Sequence, residues 1–260
     1  MFKSNRMKLS HLIIIVLIVS AAGCSGNKTS NNKANEADTL TVPDTGYTGI
    51  KRFTSPQHYL VSEVTFKNGV REGLTKTFYV SGKLHRTFWY VNGLRQDSSC
   101  WYYEEGQVFR TTPYINDTVD GIQKQYYRTG ELKAKMGYKK GYRTDFFQEF
   151  TKEGRLVGGY PELVVKTEDK YKVNGTYRVK LELTDKKINV RFFKGDFNDG
   201  AYDTTRVKRI KTVENTGYID LKKTGAPKQS HVGVIAEILT NFGNRLLVYK
   251  KVDLPYNDLE

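Results

Sequence analysis

The sequence predicts an all-β protein: an antiparallel β-hairpin repeat sheet followed by an Ig-like β-sandwich. Three observations predict it. From Val64 to about Val157 the chain copies itself every 24 residues, and five ladders keep that spacing. They are Phe66/Tyr90/Tyr114/Tyr138, Phe78/Tyr102/Tyr126/Phe150, Gly82/Gly106/Gly130/Gly154, Gly73/Asp97/Gly121/Asp145 and Gly69/Gly93/Asp117/Gly141. A period of this length means that one supersecondary unit is stacked on itself. Next, Asn68-Gly69 and Asn92-Gly93 separate runs rich in aromatic and β-branched residues. Asn-Gly is a strong hairpin signal because both central residues of a type I′ turn need positive φ. Finally, the period stops after Gly158-Gly159, and about seven short strand-like runs separated by turn residues follow, the spacing of a sandwich.

In chain order, Met1 to Cys24 has the parts of a secretory signal. Lys3, Arg6 and Lys8 are the basic start, Leu12 to Val19 the apolar run, and Ala21, Ala22 and Gly23 the small residues before the cut. The apolar run is shorter than the ~20 residues a membrane-spanning helix needs. Ala21-Ala22-Gly23-Cys24 resembles the lipobox of bacterial lipoproteins, with Ala21 where that family prefers Leu. The resemblance implies removal of residues 1–23, acylation of Cys24 and attachment to the membrane by several acyl chains, enough for stable anchoring. Ser25 in place of Asp implies the outer membrane, and the absence of an acidic run in Ser25-Gly26-Asn27-Lys28 implies a periplasm-facing anchor. Residues 24–55 are rich in Ser, Asn, Lys and Thr, too polar to offset their ordering entropy, and are expected to form a flexible tether.

Residues 56–158 are expected to form the repeat domain. Each copy holds two strands, one turn at the Asn-Gly position and another at Ser81-Gly82, Glu105-Gly106, Thr129-Gly130 or Glu153-Gly154. Side chains alternate faces along a strand, so the Phe66 and Phe78 ladders are expected to build the sheet's core. Tyr79, Tyr103 and Tyr127 point the other way from Phe78, beside Trp101. With Trp89 they are the candidate ligand-contact aromatics. Phe66-Lys67-Asn68-Gly69 through Phe78-Tyr79-Val80-Ser81-Gly82-Lys83-Leu84 resembles the MORN repeat, in particular the variant of bacterial YwqK-family antitoxins. Tyr126-Tyr127-Arg128-Thr129-Gly130-Glu131-Leu132 repeats the phrase. The resemblance implies a scaffold or binding surface rather than one activity. Asp117-Thr118 departs from the pattern and predicts a looser turn. Phe53 to Val61 and the C-terminal half near Gly158 are expected to cap the sheet's two edges.

Residues 159–260 are expected to form the sandwich, with strands at Leu163-Lys166, Thr176-Leu183, Lys187-Phe193, Val207-Val213, Gly217-Lys222, Val232-Leu239 and Leu246-Val252. Gly233 and three β-branched residues favour strand over helix at Val232–Thr240.

No catalytic motif, phosphate loop or metal-ligand spacing accompanies this architecture. His11, His58, His85 and His231 are scattered. Cys100 occupies a repeat position filled elsewhere by Lys76, Lys124 and Gln148, which suits an incidental strand residue. No enzyme activity, cofactor or metal is therefore expected. The formal charge of +14 is spread along the strands, as on a solvated basic surface, and an exported protein is not expected to meet nucleic acid. The expected function is a lipid-anchored cell-envelope protein that binds or scaffolds another envelope protein. The alternatives are binding of cell-wall glycan or peptidoglycan through the aromatics, and an antitoxin or immunity role.

Overall fold

A computed structural model describes residues 46–260. Cys24, the expected signal and most of the expected tether lie outside the described residues. The described chain is almost entirely antiparallel β, with one short helix at Tyr171–Asn174.

The repeat region forms the long sheet. Its strands are β1 (Gly49–Thr54), β2 (Leu60–Lys67), β3 (Val70–Phe78), β4 (Leu84–Val91), β5 (Leu94–Tyr102), β6 (Val108–Ile115), β7 (Thr118–Val119), β8 (Gly121–Tyr126), β9 (Leu132–Lys139) and β10 (Tyr142–Glu149). They pair in sequence order as a meander, with β7 a short side branch on β6. The hairpin turns follow from backbone chirality. Asn68 and Gly69 have φ of 52° and 77°, Asn92 and Gly93 50° and 82°, and Lys140 and Gly141 50° and 84°.

Two expectations for this region need correction. Residues 49–54, read as tether, are β1, paired with β2 from Gly49↔Phe66 to Thr54↔Leu60. They are the second strand of a further, partial copy. Gly49 and Ile50 stand one period before Gly73 and Leu74, and the Ser55–Tyr59 turn repeats the Tyr79–Lys83 turn. Ser55 N–H donates to Tyr59 O at 2.9 Å as Tyr79 N–H does to Lys83 O at 2.8 Å. His58, with φ of 65°, takes the place that Gly82, Gly106, Gly130 and Gly154 hold in the other copies. The polar composition hid the strand because β1 is an edge, half in water, and needs little apolar surface.

The second correction concerns the Asp117 turn, which has the same geometry as its neighbours, with φ of 48° at Asn116 and 64° at Asp117. The irregularity lies after it, at Asp120, where β7 and β8 part. Pro113 sits opposite and has no N–H to give the ladder; its carbonyl accepts from Asp120 N–H at 3.2 Å.

The C-terminal half comprises β11 (Leu163–Lys170), β12 (Thr176–Leu183), β13 (Val190–Lys194), β14 (Ala201–Tyr202), β15 (Lys208–Arg209), β16 (Thr212–Val213), β17 (Thr216–Lys222), β18 (His231–Leu239) and β19 (Arg245–Asp253). Two four-stranded sheets, ordered β11-β12-β17-β16 and β15-β13-β18-β19, share one core. Val179, Leu181, Leu221, Phe192, Val234 and Ile238 are among its most buried side chains. Val232–Leu239 is strand, as its β-branched residues require. The expected strand Val207-Val213 is instead two short ones, β15 and β16, in different sheets. Buried Ile210 lies between them, and its N–H donates to Phe192 O at 2.9 Å. At the far end of the long sheet β14 pairs with β10 through Arg143↔Tyr202 and Thr144↔Ala201.

Candidate functional site

Hydrogen bonds decide the role of the tyrosine ladder. Tyr79 Oη donates to Tyr102 O at 2.6 Å, Tyr103 Oη to Tyr126 O at 3.0 Å and Tyr127 Oη to Phe150 O at 2.7 Å. Each phenol thus staples its turn to the strand end 23 residues on. Burial pushes all three phenols up from their ordinary pKa. The structure therefore corrects two readings. The Tyr79 ladder is a structural staple, and it lapses at Thr151 because no further copy supplies a carbonyl. The Phe78 ladder is only half-buried; three of its members, Tyr102, Tyr126 and Phe150, give the accepting carbonyls. The sheet's buried apolar residues are instead Val64, Phe66, Phe88, Tyr90, Ala134 and Met136. Tyr103→Phe is expected to cost about 1 kcal/mol, the net worth of one hydrogen bond. Urea unfolding checks this, and an unchanged midpoint would remove the staple.

Trp89 and Trp101 belong to opposite faces. Along β4, Phe88 and Tyr90 are buried while Trp89 is 48% exposed. Trp89 pairs with Leu74 on β3 and Gln96 on β5. Ile50, Leu74, Ile122 and Phe146 occupy one repeat position and extend this outward row across the sheet. These five side chains are between 37% and 58% exposed.

Trp101 lies on the other face, in a row set by the pairings Ser62↔Thr77, Thr77↔Arg86, Arg86↔Trp101, Trp101↔Arg110 and Arg110↔Gln125. The guanidinium carbons of Arg86 and Arg110 stand 3.9 Å and 3.8 Å from the indole centroid. Reached from the strands on either side at such distances, the ring has a guanidinium on each face, a strong cation–π arrangement. His85 is the extra residue where the β3–β4 register shifts, Thr77 facing Arg86 and Phe78 facing Leu84. Its ring lies 4.3 Å from that of Tyr79, and its Nε2 accepts from Arg86 Nε at 3.4 Å. Burial, then the adjacent Arg86 charge, lowers the His85 pKa to about 4, so the imidazole is neutral at physiological pH. Cys100 is a half-buried free thiol one residue away.

One consequential residue escaped the sequence reading. Glu149, fully buried, occupies the position of Thr77, Trp101 and Gln125 in earlier copies. Its Oε2 accepts from Tyr160 Oη at 2.8 Å, and its Oε1 from Thr240 Oγ1 at 2.8 Å and Asn244 Nδ2 at 2.7 Å. The carboxylate thereby joins the end of the long sheet to the β18–β19 hairpin. Its only signal in the sequence is the change of residue type at a repeat position.

The sequence pattern of the MORN repeat variant matches residues 99–116 and 119–140. The chain therefore carries MORN-type repeats. The geometry around them extends the same unit to the strands on both sides. No curated protein matches the chain.

Proposed function

We propose that the protein is a non-enzymatic, lipid-anchored component of the cell envelope whose repeat sheet binds another protein through the row Ile50, Leu74, Trp89, Ile122 and Phe146. The carrying observation is that these large apolar side chains stay exposed on one face of the long sheet. A row of this kind is what a protein interface covers. The MORN-type repeats fit a binding or scaffolding module, and the Ala21-Ala22-Gly23-Cys24 motif supports the anchor. The glycan alternative loses support: the Tyr79 ladder hydroxyls bind backbone, guanidinium groups cover Trp101, and of the five aromatics Trp89 is the one that is exposed. We read the C-terminal half as Ig-like because its strand order, lettered along the chain with β14 left out, becomes A-B-E-D and C′-C-F-G.

A photo-cross-linker placed at position 89 in intact cells is expected to capture one discrete envelope protein. Ile122→Asp combined with Phe146→Asp is expected to reduce that capture at least tenfold. Capture unaffected by the double substitution would end this reading. Labelling with an alkyne fatty acid is expected to mark the wild-type chain and not Cys24→Ser; an unlabelled wild type would remove the anchor.

A further inference from the structure

We propose that the cavity where β10 and β14 meet β18 and β19 binds a small organic oxyanion, a carboxylate or phosphate carried on a compact apolar body. This site does not depend on the function of the Trp89 row. It arises because β18 is buried on both sides. Val234, Ala236 and Ile238 belong to the sandwich core, while Ile235 joins Tyr202 and Leu247 in a second cluster. On that second side the strand pairings place Glu237 opposite Arg191 and Leu247. Arg245 stands two residues before Leu247 on β19, and so on the same face. From the long sheet, the pairing Arg143↔Tyr202 brings β10 to this place. The cavity has a volume of about 320 Å³, with Tyr142, Arg143, Tyr202, Glu237, Arg245 and Leu247 in its walls. Gly141 and Thr204 also line it and are exposed, so it opens to solvent.

The charges in these walls do not cancel. The Glu237 carboxylate, 10% exposed, is already held by Arg191 and by Arg245, whose Nη1 donates to Oε1 at 2.7 Å. One carboxylate therefore serves two guanidinium groups, and Arg143 adds a third. Arg143 Nη2 donates to the Arg245 carbonyl at 3.2 Å, and its Nε is buried without a partner. Among the described residues it forms no ion pair. Burial is the largest influence on Arg143 and lowers its pKa; the Tyr138 phenol, and after it Glu237, act the other way. Desolvating a cation that has no ion-pair partner is costly, and an anion in the cavity removes that cost.

The walls also define the kind of anion. A guanidinium fork matches the paired oxygens of a carboxylate or phosphate. The Arg245 carbonyl orients Arg143, and Glu237 orients Arg245, before any ligand arrives, which lowers the entropic cost of binding. A bare ion would leave most of the space empty, since one water needs only about 10–15 Å³. The cavity falls at the small end of the roughly 300–1,000 Å³ typical of small-molecule sites. Tyr142, Tyr202 and Leu247 give it apolar wall against which a ring or short chain can lie.

The test titrates the full chain with benzoate, phenyl phosphate, inorganic phosphate and the neutral isostere benzamide, followed by calorimetry. Saturable binding of benzoate, phenyl phosphate or both is expected, with affinity falling as salt rises. The tighter of the two identifies the head group as carboxylate or phosphate. Benzamide is expected not to bind. Arg143→Gln is expected to weaken binding at least tenfold, and Arg143→Lys, which keeps the charge and loses the fork, to fall between. Thr204→Glu, at an exposed position, is expected to repel the anion and weaken binding at least tenfold with an unchanged unfolding midpoint. Benzamide binding as tightly as benzoate would overturn the proposal, as would no binding of either aromatic anion, whatever inorganic phosphate does. A lower unfolding midpoint in Arg143→Gln with anion affinity intact would show a packing role and overturn it as well.

Discussion

Glu149→Ala is expected to destabilise the protein by about 3 kcal/mol. The magnitude follows from the accounting of donors. Hydrogen bonds to a charged acceptor contribute about 1.5–3 kcal/mol each, and deleting the acceptor leaves buried donors unsatisfied. Tyr160, Thr240 and Asn244 would all lose their partner, and Thr240 and Asn244 are themselves buried. Burial and the Glu149 hydrogen bond hold the Tyr160 phenol well above its ordinary pKa, so the alanine variant should also let that phenol ionise at lower pH. Glu149→Gln should recover more than half of the loss. Its amide oxygen can still accept from Thr240 and Asn244, and the Tyr160 hydroxyl can turn to accept instead of donate. Guanidinium unfolding with a spectrophotometric phenol titration checks both. An alanine variant within 1 kcal/mol of wild type, or no better stability in the glutamine variant, would show that the carboxylate does not hold the junction.

Gly233→Ala is expected to cost about 3 kcal/mol or more, in the range of severe overpacking. A glycine inside a strand often marks a close backbone approach. Here a Cβ would lie 2.5 Å from the Gly195 carbonyl oxygen and 2.1 Å from Asp196 Oδ1. Backbone cannot rotate away as a side-chain tip can, and Gly195 is also bound to this strand by its N–H to Gly233 O at 2.9 Å. The displaced loop would take Asp196 from Tyr249, whose hydroxyl donates to it at 2.7 Å. Burial first, and then this bond, pushes the Tyr249 phenol up to about 12. The expected result is a lower unfolding midpoint together with a Tyr249 pKa moved back toward that of free tyrosine. A stable variant with an unmoved phenol would refute the steric reading.

Much of this was legible because the determinants are local. The 24-residue ladders placed the turns and the strands between them, since positive φ and alternation are decided within a few residues. In the C-terminal half Thr176-Leu183 was foreseen with its bounds, because Tyr177, Val179, Leu181 and Leu183 alternate with polar residues and only their side can be buried. The partial first copy was missed because it lacks an Asn-Gly pair and carries His58 where the others carry glycine. Gly49 and Ile50, one period before Gly73 and Leu74, were the available signal.

The period, the all-β architecture and the two halves of the chain are written in local residue patterns. What the aromatic residues do is set by contacts between strands far apart in the chain. Whether the Tyr79 ladder is a contact surface or a staple depends on carbonyls 23 residues away, and whether the two tryptophans cooperate depends on which face each strand turns to its neighbours. Glu149 reads as an ordinary strand glutamate until its partners, 11, 91 and 95 residues distant, converge on it. Spacing along a chain specifies local geometry. The partners that satisfy a buried polar group are chosen in space.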